Sequence, residues 1–352
     1  YFNQSIIPVK DVNGLTILDH DEFGWTLSRE DGQYDIVING GEANVISFYR
    51  SDYLPVQRRI RTDWQEFTHA PDVVMTEVDP IVTTIYASSI ETQVATGSVM
   101  IDADGERTAK IVFPANTQAT MILPDGSEQT LTTLNVRATE YTVGENGPNA
   151  MPGSLPPTSG YTYAVELSVD EAMQVSATRV EFNQALPFYV NNFLGFPVGE
   201  AVPTGWYDHQ LGKWIASDNG LIVQVLSVDE NGKAVLDISG EGNEALPSEL
   251  ETLNITLDEL TVIAQIYSVG ESFWRVPITH FTPWDHNWPY GPPKDAITPP
   301  HPKFKKDMQD VEAKDADIEC GSIIDIQNQV LGERVNLTGT DFSLNYRSDA
   351  TK

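Results

Sequence analysis

The stretch HFTPWDHNWPYGPP, residues 280–293, concentrates side chains that can do chemistry. His280, Asp285 and His286 are of the types that ligate a divalent metal, and Trp284, Trp288 and Tyr290 are of the types that stack on a sugar ring. A metal would need a third ligand held in place, and Asp285 is more simply a turn former between Trp284 and Asn287. Proline favours a structural role, because rings that fix φ keep the segment extended. Trp284 and Trp288, four apart, then share one side of it, and that side is expected to be the core. On this reading Trp284, Trp288 and Tyr290 form an aromatic wedge, the preceding SFWRVPI supplies the paired strand, and no divalent metal binds the histidines.

A second cluster brings Asp237, Ser239, Glu241, Asn243 and Glu244 within eight positions, enough oxygen ligands for a calcium loop, although the EF-hand spacing is absent. Calcium is the only cofactor this suggests, and a solvated acidic loop is the competing account. GEGNEA (240–245) has the spacing of a dinucleotide loop, but Glu241 and Glu244 would face the pyrophosphate, Pro247 opens the next helix and no further βα alternation follows. DADGE (102–106) needs no more than a hairpin turn. Nucleophile-elbow, Walker and zincin motifs are absent, and acidic pairs are too numerous for any one to mark a glycosidase dyad. The lone Cys320 has no base-bearing motif beside it and is expected to be a free or partly buried thiol.

The elements that must position these residues are mostly strands. YDIVING, NVISFYR, AKIVFPA, TLNVRATEYTV, YTYAVELSV and TRVEFNQALPFYV alternate apolar with polar residues and are rich in β-branched and aromatic types. Asp-Gly or Asn-Gly turns in REDGQ, DADGE, LPDGS and DENGK punctuate them. The expected fold is therefore mainly β, with tandem antiparallel β-sandwich domains rather than βαβ units. One or two short helices are expected near 247–267, where Pro247 marks a helix start and TLDE (256–259) is a capping box. Composition shifts near 80, in the Gly/Pro-rich 144–160 and after 294 suggest boundaries at 1–79, 80–190 and 191–294, an extended linker over 295–320 and renewed strands over 321–352.

With 21 Lys plus Arg against 51 Asp plus Glu, the net charge of −30 opposes binding to nucleic acid and to anionic lipid. No apolar run reaches membrane-spanning length. The opening YFNQSIIPVK lacks a Met and a signal-type apolar core, so a longer parent protein is expected.

Residues 14–79 resemble a carboxypeptidase-regulatory-like, or transthyretin-like, sandwich. GLTILDHDEFGWTLSREDGQYDIVINGG carries the signature of Thr26 with Asp31, Gly32 and Tyr34, followed by YRSDYLPVQRRI and PDVVM. Three later segments, NNFLGFPVGEAVPTGWYDHQLGKWIASDNGLIVQVL, SFWRVPITHFTPWDHNWPYGPP and GSIIDIQNQVLGERVNLTGTDFSLNYRSD, resemble in order the region before the YD-repeat shell of bacterial Rhs and teneurin-like proteins. Part of 81–190 is faintly similar to a ZU5-type sandwich. The resemblance implies a non-catalytic plug that closes one end of a repeat shell, in a secreted or surface-delivered bacterial protein. Its partner would be the YD-repeat shell of its own parent chain. No tandem YD repeat, toxin or self-cleaving motif occurs, and YDHQLGKW is an isolated echo. A carbohydrate-binding or adhesive module with a surface or glycan ligand, and a hydrolase with unidentified carboxylates, are the alternatives.

Overall fold

The computed structural model describes residues 8–10, 16–18, 25–38, 41–63, 67–156, 159–289, 332–336 and 343–347. Two units divide the chain, residues 1–291 and residues 292–352. Every strand pairing among the described residues is antiparallel, as hairpin turns rather than helical crossovers require.

In the first unit, β1 (Pro8–Lys10) pairs with β2 (Thr16–Leu18), and β3 (Gly41–Phe48) with β4 (Val56–Thr62). β5 (Thr83–Tyr86) is followed by the hairpin of β6 (Gln93–Asp102) and β7 (Gly105–Phe113), which turns at Gly105 with φ +130°. β8 (Ala119–Ile122) and β9 (Glu128–Leu131) turn at Gly126, φ +82°, a conformation only glycine enters freely. Then come β10 (Thr133–Glu140), β11 (Ala164–Val169), the short helix α1 (Asp170–Gln174) and the long β12 (Arg179–Asn191). β13 (Ala201–Val202), β14 (Gly205–Asp208), β15 (Lys213–Ala216), β16 (Gly220–Val228) and β17 (Ala234–Asp237) precede the helices α2 (Pro247–Thr252) and α3 (Leu257–Ile266). β18 (Ser272–Phe281) and β19 (Pro283–Asp285) complete the unit.

Strands β5 to β19 build two facing sheets, while β1-β2 and β3-β4 remain separate two-stranded sheets. One runs in the order β15-β14-β19-β11-β10-β5; the other runs β13-β16-β18-β12-β7-β6, with β17 on β16, β8 on β12 and β9 on β8. Alternation along each strand produces the layering. On β11, Val165, Leu167 and Val169 enter the core between the sheets, joined there by Phe188 and Val190 of β12 and by Trp274, Val276 and Ile278 of β18. The residues between them, Tyr189 and Phe273, point to the opposite face and pack under α3 through Leu260 and Ile263. On the far side of the smaller sheet, Ala164 and Tyr141 meet Leu54 of the N-terminal segment and Met151. The order is thus helices, larger sheet, smaller sheet, N-terminal segment.

The mainly β class and the short helices of 247–267 agree with the sequence expectation. Several details differ. The division expected at 190/191 falls inside β12, and segments 80–190 and 191–294 share both sheets, because β12 pairs with β7 on one side and β18 on the other. YDIVING forms no strand over its described residues 34–38, which alternate only between half-buried and exposed. The 144–160 loop contains a 3-10 helix, Gly144–Ala150, anchored by the buried Ala150 and Met151. The linker expected at 295–320 lies outside the described residues; beyond it, β20 (Gly332–Asn336) and β21 (Ser343–Arg347) form a hairpin.

Candidate functional site

β18 runs into the 280–289 segment without a hairpin. At Thr282 the chain leaves the larger sheet, and β19 joins the smaller one between β11 and β14. SFWRVPI is therefore not the partner of PWD; the two strands lie in facing sheets, joined by a single residue. Trp284 is buried in the core, and its indole Nε1–H donates to the His280 carbonyl at 3.1 Å. Trp288, half-buried, stacks on Phe196 at 4.2 Å and tilts against Trp274 at 4.9 Å. Tyr290, the third expected member of the wedge, lies outside the described residues.

The two histidines lie in separate aromatic settings. His286 is sandwiched between Tyr163 and Phe188, both rings within 20° of parallel, and Thr204 Oγ1 approaches its Nδ1 at 3.3 Å. Burial pushes His286 down to about 3, with the Pro203 backbone acting in the opposite sense. His280 packs edge-on against Trp206 and is held down at about 4, chiefly by burial. Asp285 accepts from the Asn287 N–H at 2.9 Å, closing the turn expected of it. Among the described residues no group of three or more His, Cys, Asp or Glu is arranged to hold a metal.

The 237–244 loop is built around one carboxylate. Asp237, buried at the end of β17, accepts from the N–H groups of Ser239 and Gly240 and the Ser239 hydroxyl through Oδ1, and from the Gly242 N–H through Oδ2. Burial works to raise its pKa, but these donors lower it on balance. Glu241, Asn243 and Glu244 are exposed, and the three acids among the five expected calcium ligands, Asp237, Glu241 and Glu244, are not grouped as a metal would need. GEGNEA is the same turn, leading to α2 and not to a parallel strand.

Sequence reasoning passed over the buried charges. Glu259, read only as a capping residue, binds Arg275 at 2.6 and 2.9 Å and accepts from the Tyr189 hydroxyl, while Thr256 Oγ1 caps α3 by accepting from the Glu259 N–H. Arg107 holds Asp102 through two bonds and Glu140 through a third. Arg58, buried, donates to the carbonyls of Gln57, Met151 and Asn149. With Gln57 N–H to Pro152 O (2.7 Å) and Val74 N–H to Asn149 O (3.0 Å), it fastens the N-terminal segment to the 3-10 turn.

Two carboxyls stand apart. Glu166 on β11 accepts from the Tyr141 hydroxyl and is raised to about 8 by burial; Asp285 is raised to about 7, also by burial. Because Ala164 lies opposite Asp285, the two share the outer face of the smaller sheet as diagonal neighbours. The signal was present in AVELSV, where one acid interrupts an apolar run. Glu166 lines a cavity whose walls do not include Asp285.

Fold and site together define a mainly β, antiparallel protein whose N-terminal segment is locked onto a two-sheet body. Residues 2–75 match the family model of the teneurin TTR-like domain. Over 71 residues the chain is 37% identical to human teneurin-1, covering 20% of this chain and 3% of the relative. Teneurin-1 of Caenorhabditis elegans is 29% identical over 75 residues, 21% of this chain and 3% of that protein. Drosophila melanogaster teneurin-m is 38% identical over 64 residues, 18% and 2%. The chain thus covers 2–3% of these curated relatives. No solved structure matches it.

Proposed function

We propose that the chain is a non-catalytic structural region of a teneurin- or Rhs-like YD-repeat protein, in which the TTR-like segment and the two-sheet body together plug one end of the repeat shell. The observation that carries this reading is the joint. Gln57, Arg58 and Val74, all inside the TTR-like match, are hydrogen-bonded to residues 149–152 of the body, so the matched segment and the body form a stiff pair. A plug needs that rigidity, whereas a flexibly tethered adhesive module does not. The partner is the YD-repeat shell of the parent chain, and the setting is secreted or cell-surface. No helix among the described residues is long and apolar enough to cross a membrane. The parent reading frame is the first test: tandem YD repeats beyond residue 352 are expected, and their absence would remove the proposal.

The glycan-binding alternative depends on aromatic platforms. Trp274 and Trp284 are buried and Trp206, Trp214 and Trp288 half-buried, which leaves Trp25 as the exposed tryptophan among the described residues. A glycan array is expected to show no saturable binding. A panel of glycosides and esters is expected to show no turnover; hydrolysis abolished by Glu166→Gln would establish a hydrolase instead.

A further inference from the structure

Asparagine stands two residues before a serine or threonine at Asn3, Asn254 and Asn336. Asn3 and Thr338 lie outside the described residues, whereas the triplet Asn254-Ile255-Thr256 is described in full, in the turn from α2 to α3. Asn254 makes the bend with φ +52°, a left-handed conformation that asparagine enters more readily than other residues with a side chain. Its N–H donates to the Glu251 carbonyl at 2.9 Å, and the Ile255 N–H donates to the Leu250 carbonyl at 2.8 Å. Ile255 is buried with Leu260 and Ile263, which pins the middle of the triplet while Asn254 and Thr256 stay exposed. Thr256 Oγ1 accepts from the Glu259 N–H at 3.1 Å and caps α3. Among the described residues the Asn254 side-chain amide has no hydrogen-bond partner. The fold asks for less than this pair, because glycine serves a left-handed bend without steric cost and Ser, Asp or Asn caps a helix as well as Thr.

We infer that Asn254 is an acceptor site for an N-linked oligosaccharide. The co-reactant is an oligosaccharide carried on a lipid diphosphate. Asn254 Nδ2 forms a bond to C1 of the first sugar, and the C1–O bond to the diphosphate breaks. The lipid diphosphate leaves with the bonding pair, and the amide gives one proton to a base of the transferase. The Thr256 hydroxyl completes the acceptor triplet, and because the folded chain turns that oxygen to the Glu259 N–H, transfer belongs to the stage before α3 is capped. The finished fold accommodates the product, since the amide is exposed and no bond within the chain has to break to release it. The glycan stands on the helical layer, which both sheets separate from the joint at 149–152, so it leaves that joint and the core between the sheets undisturbed. The inference takes its setting from the secreted or cell-surface reading and does not depend on the plug.

Expression of the full chain in a eukaryotic cell line, behind a supplied secretion leader, tests it. Trypsin frees residues 234–275, between Lys233 and Arg275, as one peptide that holds Asn254 and neither of the other two triplets. Mass spectrometry should find most copies of this peptide heavier by an oligosaccharide, and a peptide-N-glycosidase should remove the added mass and leave an aspartate at that position. Three variants separate the acceptor from the fold. Asn254→Gly keeps the left-handed bend and Thr256→Asp keeps the cap of α3, and both should lose the oligosaccharide. Thr256→Ser keeps the cap and the hydroxyl and should retain it. An unmodified wild-type peptide, in secreted and microsomal chain alike, would overturn the site, as would an added mass that survives in Asn254→Gly or Thr256→Asp. Because the leader and the host supply the compartment, these outcomes judge the site alone; a native parent that never enters a secretory compartment would count against the setting instead.

Discussion

Asp237 shows how one side chain can organise a loop that looks made for an ion. Its two oxygens accept from three backbone N–H groups and one hydroxyl, which hold the turn together. Asp237→Ala strands those donors and is expected to cost about 2 kcal/mol, equally in calcium and in chelator; a loss seen only with calcium present would show a metal site. Glu166 is the second residue-scale case. Its carboxyl titrates near 4.5 in an ordinary setting and near 8 in the folded chain, so the folded state holds an extra proton between those values. The associated stability is complete below the lower value and is lost as pH rises towards the higher. The half-buried His209 and His280 and the buried His286 act in the opposite sense, held near 4, 4 and 3 against 6.5, and they remove stability as pH falls below that value. Because the histidines are common to both proteins, comparing wild type with Glu166→Gln isolates the carboxyl. The variant is expected to melt above wild type at pH 8 and by a much smaller margin at pH 5; an equal difference at both would refute the raised carboxyl.

The crossover of β18 into β19 is the element that most repays substitution. Trp284 fills the core between the sheets, and its truncation to alanine is expected to cost about 3–5 kcal/mol. Trp288, half-buried against Phe196 and Trp274, should cost less, about 2 kcal/mol. Urea melts of the two variants check both the sizes and their order. Hairpins were legible in the sequence because an Asp-Gly pair between alternating runs specifies its turn locally, as at Gly105 and Gly126. The capping of α3 by Thr256 was legible for the same reason. The crossover was not: Pro283 announces an extended segment but not which sheet receives it, and that depends on β11 and β14, more than 70 residues away in sequence. Glu259 was misjudged similarly, since Arg275 and Tyr189 reach it only after the larger sheet has formed.

At the scale of the molecule, the two sheets cannot be divided where the composition shifts. β12 sits between β7 and β18, and Trp274, Phe188 and Val165 meet in one core drawn from residues on both sides of 190. Residues 80–190 expressed alone are therefore expected to remain unfolded by near-ultraviolet dichroism, and residues 1–291 to unfold in one transition, whereas an independently folded 80–190 would restore the boundary. Arg58, through the carbonyls of Met151 and Asn149, ties the TTR-like segment into the same body, which is the rigidity the plug proposal relies on. Electron cryo-microscopy of the parent protein tests that proposal most directly. The two-sheet body should appear seated against one open end of a YD-repeat shell, with the TTR-like segment fixed to it through residues 149–152. A parent without a shell, or a body hanging free of the shell's rim, would contradict the account.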